Sequence, residues 1–180
     1  LERLGYGPEI LTIRQANFSN IDQIVSESGP LDFILADLGV SSMQIDNPER
    51  GFSFKTEGPL DLRLDSSKGI SAAERLKTIS QDELQGMLLE NADEPHCVEI
   101  AHAITFAIKK GAEITTTSQL RQIIEDTLKF IPERDRDYEV KKSCQRCFQA
   151  LRIDVNNEFE ALYEFLEKLP DAMAEGGRIA

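Results

Sequence analysis

Apolar positions change spacing several times along this chain, and each change predicts a different element. The run ILTIR, residues 10–14, reads as a short β-strand. SNIDQIVSES follows, with Ile21, Ile24 and Val25 on one helical face and Ser19 placed as its N-cap. Gly29 and Pro30 end that helix. LDFILAD, residues 31–37, is almost continuously apolar, the pattern of a strand buried on both faces. Strand, helix and strand with short links predict a βαβ unit of a parallel sheet.

The periodicity then stops. Residues 38–65 form a long loop rich in Gly, Pro, Phe, Arg and Asp. Beyond it, helical spacing returns. SAAE (Ser71, Glu74) and SQDE (Ser80, Glu83) have capping-box form. EIAHAITFAIKKG sets Ile100, Ile104 and Ile108 on one face and ends at Gly111. TTSQLRQIIEDTLKFI is another capped helix, stopped by Pro132. Residues 69–142 are therefore predicted to be a helical block. CFQALRIDVNNEFEALYEFLEKL reads as one long amphipathic helix ending before Pro170, and EGGRIA returns to the sheet. Helices between two sheet segments predict an α/β domain carrying a helical insertion.

Composition changes this picture little. The apolar fraction of 41% allows an ordinary core. No apolar run approaches the roughly 18 residues of a membrane span. Three cysteines, Cys97, Cys144 and Cys147, suit a reducing cytoplasm better than a disulfide scaffold. The start at Leu1 without Met and the close on GGRIA predict an internal part of a longer polypeptide.

Net charge is −12, which by itself argues against nucleic acid. A local patch is a separate matter. Lys129, Arg134, Arg136, Lys141, Lys142, Arg146 and Arg152 fall in one window with Glu133, Asp135, Asp137 and Glu139. That window is either a basic patch or a solvated helical face.

Ligands of open parallel sheets sit beyond the carboxyl ends of the strands, which is where Asp37 is placed. Gly39, Ser41, Ser42 and Gln44 follow it with close-approach backbone, hydroxyls and an amide. Asp37 is equally open to a role as a turn cap. NPERGFSF sets Arg50 beside Phe52 and Phe54, a cation among aromatic faces. Single-stranded RNA is bound that way, and two Phe residues can equally pin a loop to the body. Asp61, Arg63 and Asp65 alternate in sign and read as a loop-closing salt-bridge set. Cys144 and Cys147 have metal-like spacing but fall in a helical stretch, so no metal is expected. His102 falls with polar residues of its helix, a solvated position.

DLGVSSMQIDNPERGFSF, then GPLDLRLD, then FQALRIDVNNEFEAL resemble the RsmH/MraW family of S-adenosylmethionine-dependent methyltransferases. The resemblance covers nearly the whole chain. It implies a fold: a partial Rossmann-like class I methyltransferase α/β sheet with an inserted all-helical lobe. It implies domains as well. Residues 1–54 and 144–180 would be the two parts of the methyltransferase domain, and 55–143 the substrate-recognition lobe. The implied activity is N4 methylation of a cytosine in small-subunit (16S) ribosomal RNA, tuning the decoding centre, in the cytoplasm. The partner is that RNA or the assembled small subunit, with no membrane and the oligomeric state open.

Carried over residue by residue, the family pattern makes Asp37 and Gln44 cofactor contacts, and QANFSNI supplies Phe18 to the same pocket. Asp37 and Ser41 are the catalytic candidates, placed to hold the target amine. Arg50, Phe52 and Arg146 are the candidates for RNA. The family's early GGHS loop, its ribose-binding acidic residue, the later SFHSLEDR block and the basic tail are not in these 180 residues. Residues 96–98, Cys144 and Cys147 also depart from the usual pattern. A non-catalytic RNA- or ribosome-binding domain, or another ligand on the same scaffold, are the competing readings.

Overall fold

The computed structural model describes Gly5, Gly7 and residues 10–180. In chain order the elements are α1 (Ile21–Ser28), β1 (Leu31–Ile34), α2 (Ser42–Ile45), α3 (Ala72–Thr78), α4 (Gln81–Ala92), α5 (Cys97–Lys109), α6 (Thr117–Thr127), α7 (Glu133–Asn156), α8 (Glu158–Ala172) and β2 (Met173–Ile179). The chain divides into two compact units. The first holds residues 1–37 and 159–180, the second residues 38–158. Sequence reading set its boundaries at 54/55 and 143/144 instead; the folded chain groups the whole post-strand loop and all of α7 with the helices.

The first unit is built on a parallel pair. Leu31 faces Met173, Phe33 faces Arg178 and Ile34 faces Ile179. Two steps on β1 thus match five on β2, so β2 bulges between its ends. Gly177 lies within that bulge, where a Cβ would press on Met173 and on the Leu31 carbonyl. Ile21, Ile34, Phe165, Leu169 and Ala172 form the core of this unit, with Val25, Leu31 and Leu162 packed against it.

Several expectations for this unit are corrected. The apolar run 31–37 is not buried on both faces among the described residues: Phe33 in β1 is 59% exposed and Leu35, just past it, 70%. No strand forms over residues 10–14, where Ile10, Leu11 and Ile13 are exposed. A β-prone run becomes a strand only when a neighbour offers it a ladder. Ser19 is not an N-cap. It lies inside a 3-10 turn, Phe18–Asn20, and Asn17 accepts its amide at 3.0 Å. The long C-terminal helix is two helices. Asn157 takes the left-handed conformation (φ 48°) and ends α7, and α8 begins one residue later. Pro170 does not stop α8, which runs on to Ala172; a proline in the final turn leaves little helix to break.

The second unit is helical. α4 packs on α5 and α7, α6 on α5 and α7, and α3 on α7. Its core includes Leu60, Leu76, Leu84, Leu88, Ile100, Ile104, Leu120, Ile124, Leu128 and Leu151, each at most 1% exposed. The helix starts follow their capping chemistry. Ser71 Oγ accepts the Glu74 amide at 3.2 Å, and Glu74 accepts the Ser71 amide at 2.9 Å. Ser80 accepts the Glu83 amide, but the Glu83 carboxylate turns to Arg75 instead of completing the box. Thr116 and Gln119 complete one at α6.

Candidate functional site

β1 ends at Ile34, three residues earlier than the apolar run suggests. The ladder still continues: Ala180 donates to Ile34 O at 3.0 Å, and Ala36 donates to Ala180 O at 2.8 Å. Asp37 is therefore the first residue beyond backbone pairing and not the last of the strand. It is exposed, and its carboxylate has no hydrogen-bond partner among the described residues. It caps nothing there. Phe18, in the same unit, is held by the 3-10 turn. Its ring meets Phe165 edge-on at 5.4 Å and stays 38% exposed.

In the second unit, the structure joins Ser41 and Gln44. Gln44 Oε1 accepts both the amide of Ser41, the N-cap of α2, at 2.9 Å and its hydroxyl at 3.4 Å. The Gln44 carbonyl oxygen is thereby occupied, while its amide NH2 has no partner among the described residues. An amide fixed by its oxygen presents its donors in a set direction.

The long loop closes on itself. Asn47 Oδ1 accepts the Glu49 amide at 3.1 Å and opens a 3-10 turn with Pro48. Gly51 (φ 70°) packs so tightly on Pro59 that a Cβ would overlap the Pro59 carbonyl oxygen. A Cβ on Gly58 would overlap the Pro48 carbonyl oxygen in the same way. Arg50 Nη2 donates to Arg63 O (2.9 Å) and Leu64 O (2.8 Å), and its guanidinium lies 5.6 Å from the Phe52 ring centre. Phe52 and Phe54 pack on the core of the unit, Phe54 edge-on to Phe148 at 5.8 Å. The geometry shows these residues pinning the loop, with Phe54 left part-exposed.

Asp61 and Arg63 form a two-point ion pair, Nε–Oδ1 2.7 Å and Nη2–Oδ2 2.9 Å. The Arg63 guanidinium holds the Asp61 carboxyl below its ordinary range. Asp65 does not join them. It accepts from Ser67 and pairs with Lys68. Asn156 at the end of α7 locks the loop from the other side, donating to Leu62 O at 2.8 Å and accepting the Leu64 amide at 2.6 Å. Sequence reasoning missed this role of Asn156. The Asn-Asn pair at a helix end was its one local signal.

The basic window of residues 129–152 is largely spoken for. Lys129 pairs with Asp126, Arg134 with Asp135 and Arg152 with Glu158. Arg146 points to Glu94, Nη1 to Oε2 at 4.0 Å. Glu94 is fully buried. Its Oε1 accepts from Ser143 Oγ (2.9 Å) and the His96 amide (3.0 Å), and its Oε2 has no hydrogen bond among the described residues. Sequence reasoning also missed Glu94, because nothing in ENADEPHC marks an acid for burial. Cys97, Cys144 and Cys147 are buried free thiols, and burial pushes the Cys144 thiol up to about 12. Among the described residues no group of three His, Cys, Asp or Glu side chains is placed to hold a metal ion. His102 is exposed and stacks on Phe106 at 5.8 Å.

A family model described as the MraW methylase family matches residues 2–180. Over all 180 residues the chain is 77% identical to a protein named Ribosomal RNA small subunit methyltransferase H 2 from Alkaliphilus metalliredigens, covering 52% of that protein. It is 68% identical over the same span to Ribosomal RNA small subunit methyltransferase H 1 from Lachnoclostridium phytofermentans, covering 49% of it. A relative from Halorhodospira halophila, named Ribosomal RNA small subunit methyltransferase H, is 40% identical over 94% of this chain and 51% of its own length. The chain spans about half the length of the curated relatives it matches.

Proposed function

The chain belongs to the MraW methylase family, and from that premise we propose that it acts in S-adenosylmethionine-dependent methylation of small-subunit ribosomal RNA. The finer reading is transfer to the N4 amine of a cytosine, tuning the decoding centre, in the cytoplasm. One observation carries the broader reading, methylation of small-subunit ribosomal RNA: 77% identity, over every residue of the chain, to a protein named as a small-subunit ribosomal RNA methyltransferase. Under this reading β1 and β2 belong to a Rossmann-like sheet, and the helical unit is a substrate lobe inserted into it.

The residues present fit the cofactor chemically. Phe18 offers an exposed aromatic face, which suits an adenine ring. Asp37 offers an exposed carboxylate with no protein partner among the described residues. Gln44 offers an amide whose donors are free and whose oxygen is fixed. S-adenosylmethionine, when bound, supplies an electrophilic methyl group on a sulfonium. Against it, a cytosine N4 amine is a poor nucleophile, because its lone pair is delocalised into the ring. A carboxylate that accepts a hydrogen bond from N4–H draws the amine toward a pyramidal, reactive form and can take up the proton released. Asp37 has the chemistry for this step, and Ser41 a hydroxyl for orienting the amine. The target base must leave its stack to be reached.

The test is Asp37→Asn in the full-length protein. Methylation of small-subunit RNA is expected to fall about 10²–10⁴-fold with the fold intact, as for loss of a positioned base. Calorimetry with S-adenosylmethionine reads cofactor binding separately. If methylation and cofactor affinity both survive, Asp37 is structural. If the wild-type protein binds RNA but neither binds the cofactor nor transfers a methyl group, the non-catalytic reading wins.

A further inference from the structure

The cations that sequence reading assigned to RNA, Arg50 and Arg146, are turned inward, toward loop carbonyls and toward Glu94. The uncommitted ones lie elsewhere in the second unit. A groove of about 650 Å³ runs between α6 and α7, floored by Phe54 and Val140. Five basic side chains line it, Lys55, Arg121, Lys129, Arg136 and Lys141, against three acids, Glu125, Asp126 and Asp137.

Pairing sharpens that contrast. Arg121 is neutralised by Glu125 and Lys129 by Asp126. Arg136 donates to the backbone carbonyls of Lys129 and Ile131, and among the described residues its charge meets no carboxylate. Lys55 and Lys141 are exposed and form no ion pair among the described residues. Of the groove's described side chains, two uncommitted cations, Lys55 and Lys141, thus face one unpaired acid, Asp137, with Arg136 turned to backbone carbonyls beside them, in a chain whose net charge is −12. A positive groove on an otherwise negative surface concentrates polyanions there and turns them away elsewhere. Phe54 adds an aromatic ring to the lining, the second part of a single-strand site.

We propose that this groove receives a single-stranded RNA segment, its phosphates on Lys55 and Lys141 and a base against Phe54. The proposal rests on the methyltransferase reading and gives the substrate a place on the helical unit. Phosphate contacts of this kind set register and leave sequence choice to other groups.

The experiment titrates the full-length protein with a fluorescent single-stranded RNA decamer at several salt concentrations. It compares wild type, Lys55→Ala with Lys141→Ala, and Lys109→Ala with Lys110→Ala, which removes the same charge from the end of α5. The groove variant should bind about tenfold or more weakly, and its log–log salt slope should flatten by about 1.4, which is 0.7 for each phosphate left without its lysine on a single strand. The α5 variant should stay within about twofold of wild type. Lys55→Arg with Lys141→Arg should restore binding, which a folding defect would not allow. Equal losses in the two alanine variants, or none in the groove variant, overturn the assignment while leaving the methyltransferase reading intact. An acidic peptide of equal charge that competes as well as the RNA overturns it in favour of a protein partner. A wild-type protein that binds no RNA decamer overturns the groove assignment, while the methyltransferase reading stands or falls on the methylation assay.

Discussion

Asp61 and Arg63 show how much one pair can carry in this protein. Both are mostly buried, with side chains 20% and 19% exposed, and two parallel hydrogen bonds join them. Arg63 also donates to Gly69 O at 3.2 Å, so the pair ties the end of the loop to the entry of α3. Because Asp61 titrates below its ordinary range when folded, its contribution is present above the unfolded value of about 3.9 and is lost as pH falls through the lower folded value. Asp61→Asn should cost about 1–2 kcal/mol in urea unfolding at pH 7. The gap to wild type should close as the pH is taken below about 3.9. A gap that persists at low pH would assign the loss to packing instead of charge. Glu94 carries a different demand. One of its oxygens is satisfied by Ser143 and His96, and the other faces Arg146 across 4.0 Å, so the burial of a whole carboxylate depends on three neighbours.

Among the elements, the loop of residues 46–65 is the one whose form depends most on close backbone approach. Leu60 and Leu62, each 1% exposed, anchor it in the core, and Leu62 holds a positive φ of 64°. Gly58→Ala would force its methyl group into the Pro48 carbonyl, and a cost of about 2–3 kcal/mol is expected, read as a lower thermal midpoint. Gly86→Ala in α4 is the matched control, since nothing lies within 4 Å of its added Cβ; it should stabilise by about 0.5–1 kcal/mol. Similar losses at the two sites would mean that the loop yields to a methyl group. These elements also divide what was legible in the sequence from what was not. Ser71 with Glu74 and Thr116 with Gln119 were readable because a capping box is closed within four residues. The break at Asn157 was not, because apolar spacing continues across it and a single residue in the left-handed conformation changes no pattern. Arg50 and Phe52 were visible as a pair, but their partners, Arg63 O and Leu64 O, are chosen by the fold of the loop.

At the scale of the molecule, two compact units have different chemistry. The first carries Phe18 and Asp37 beside a bulged parallel pair; the second carries Ser41, Gln44, the closed loop and the α6–α7 groove. The family resemblance was legible because its blocks are contiguous in sequence. The distribution of free and paired cations was not, since it depends on which helices face each other. The three cysteines have a further consequence. All three lie in the second unit and all are buried, so none is open to a thiol reagent while that unit stays closed. The chain therefore contains its own clock for one unit alone. With a fast disulfide reagent in excess, the rate of labelling should follow the opening of residues 38–158 and ignore fraying of the strand pair. Addition of RNA should slow that clock if the α6–α7 groove is its seat, because a ligand held across two helices opposes their separation. Mass spectrometry would show the modified forms arriving together as a triple adduct, the signature of one cooperative opening; stepwise single adducts would reveal local breathing around one helix instead.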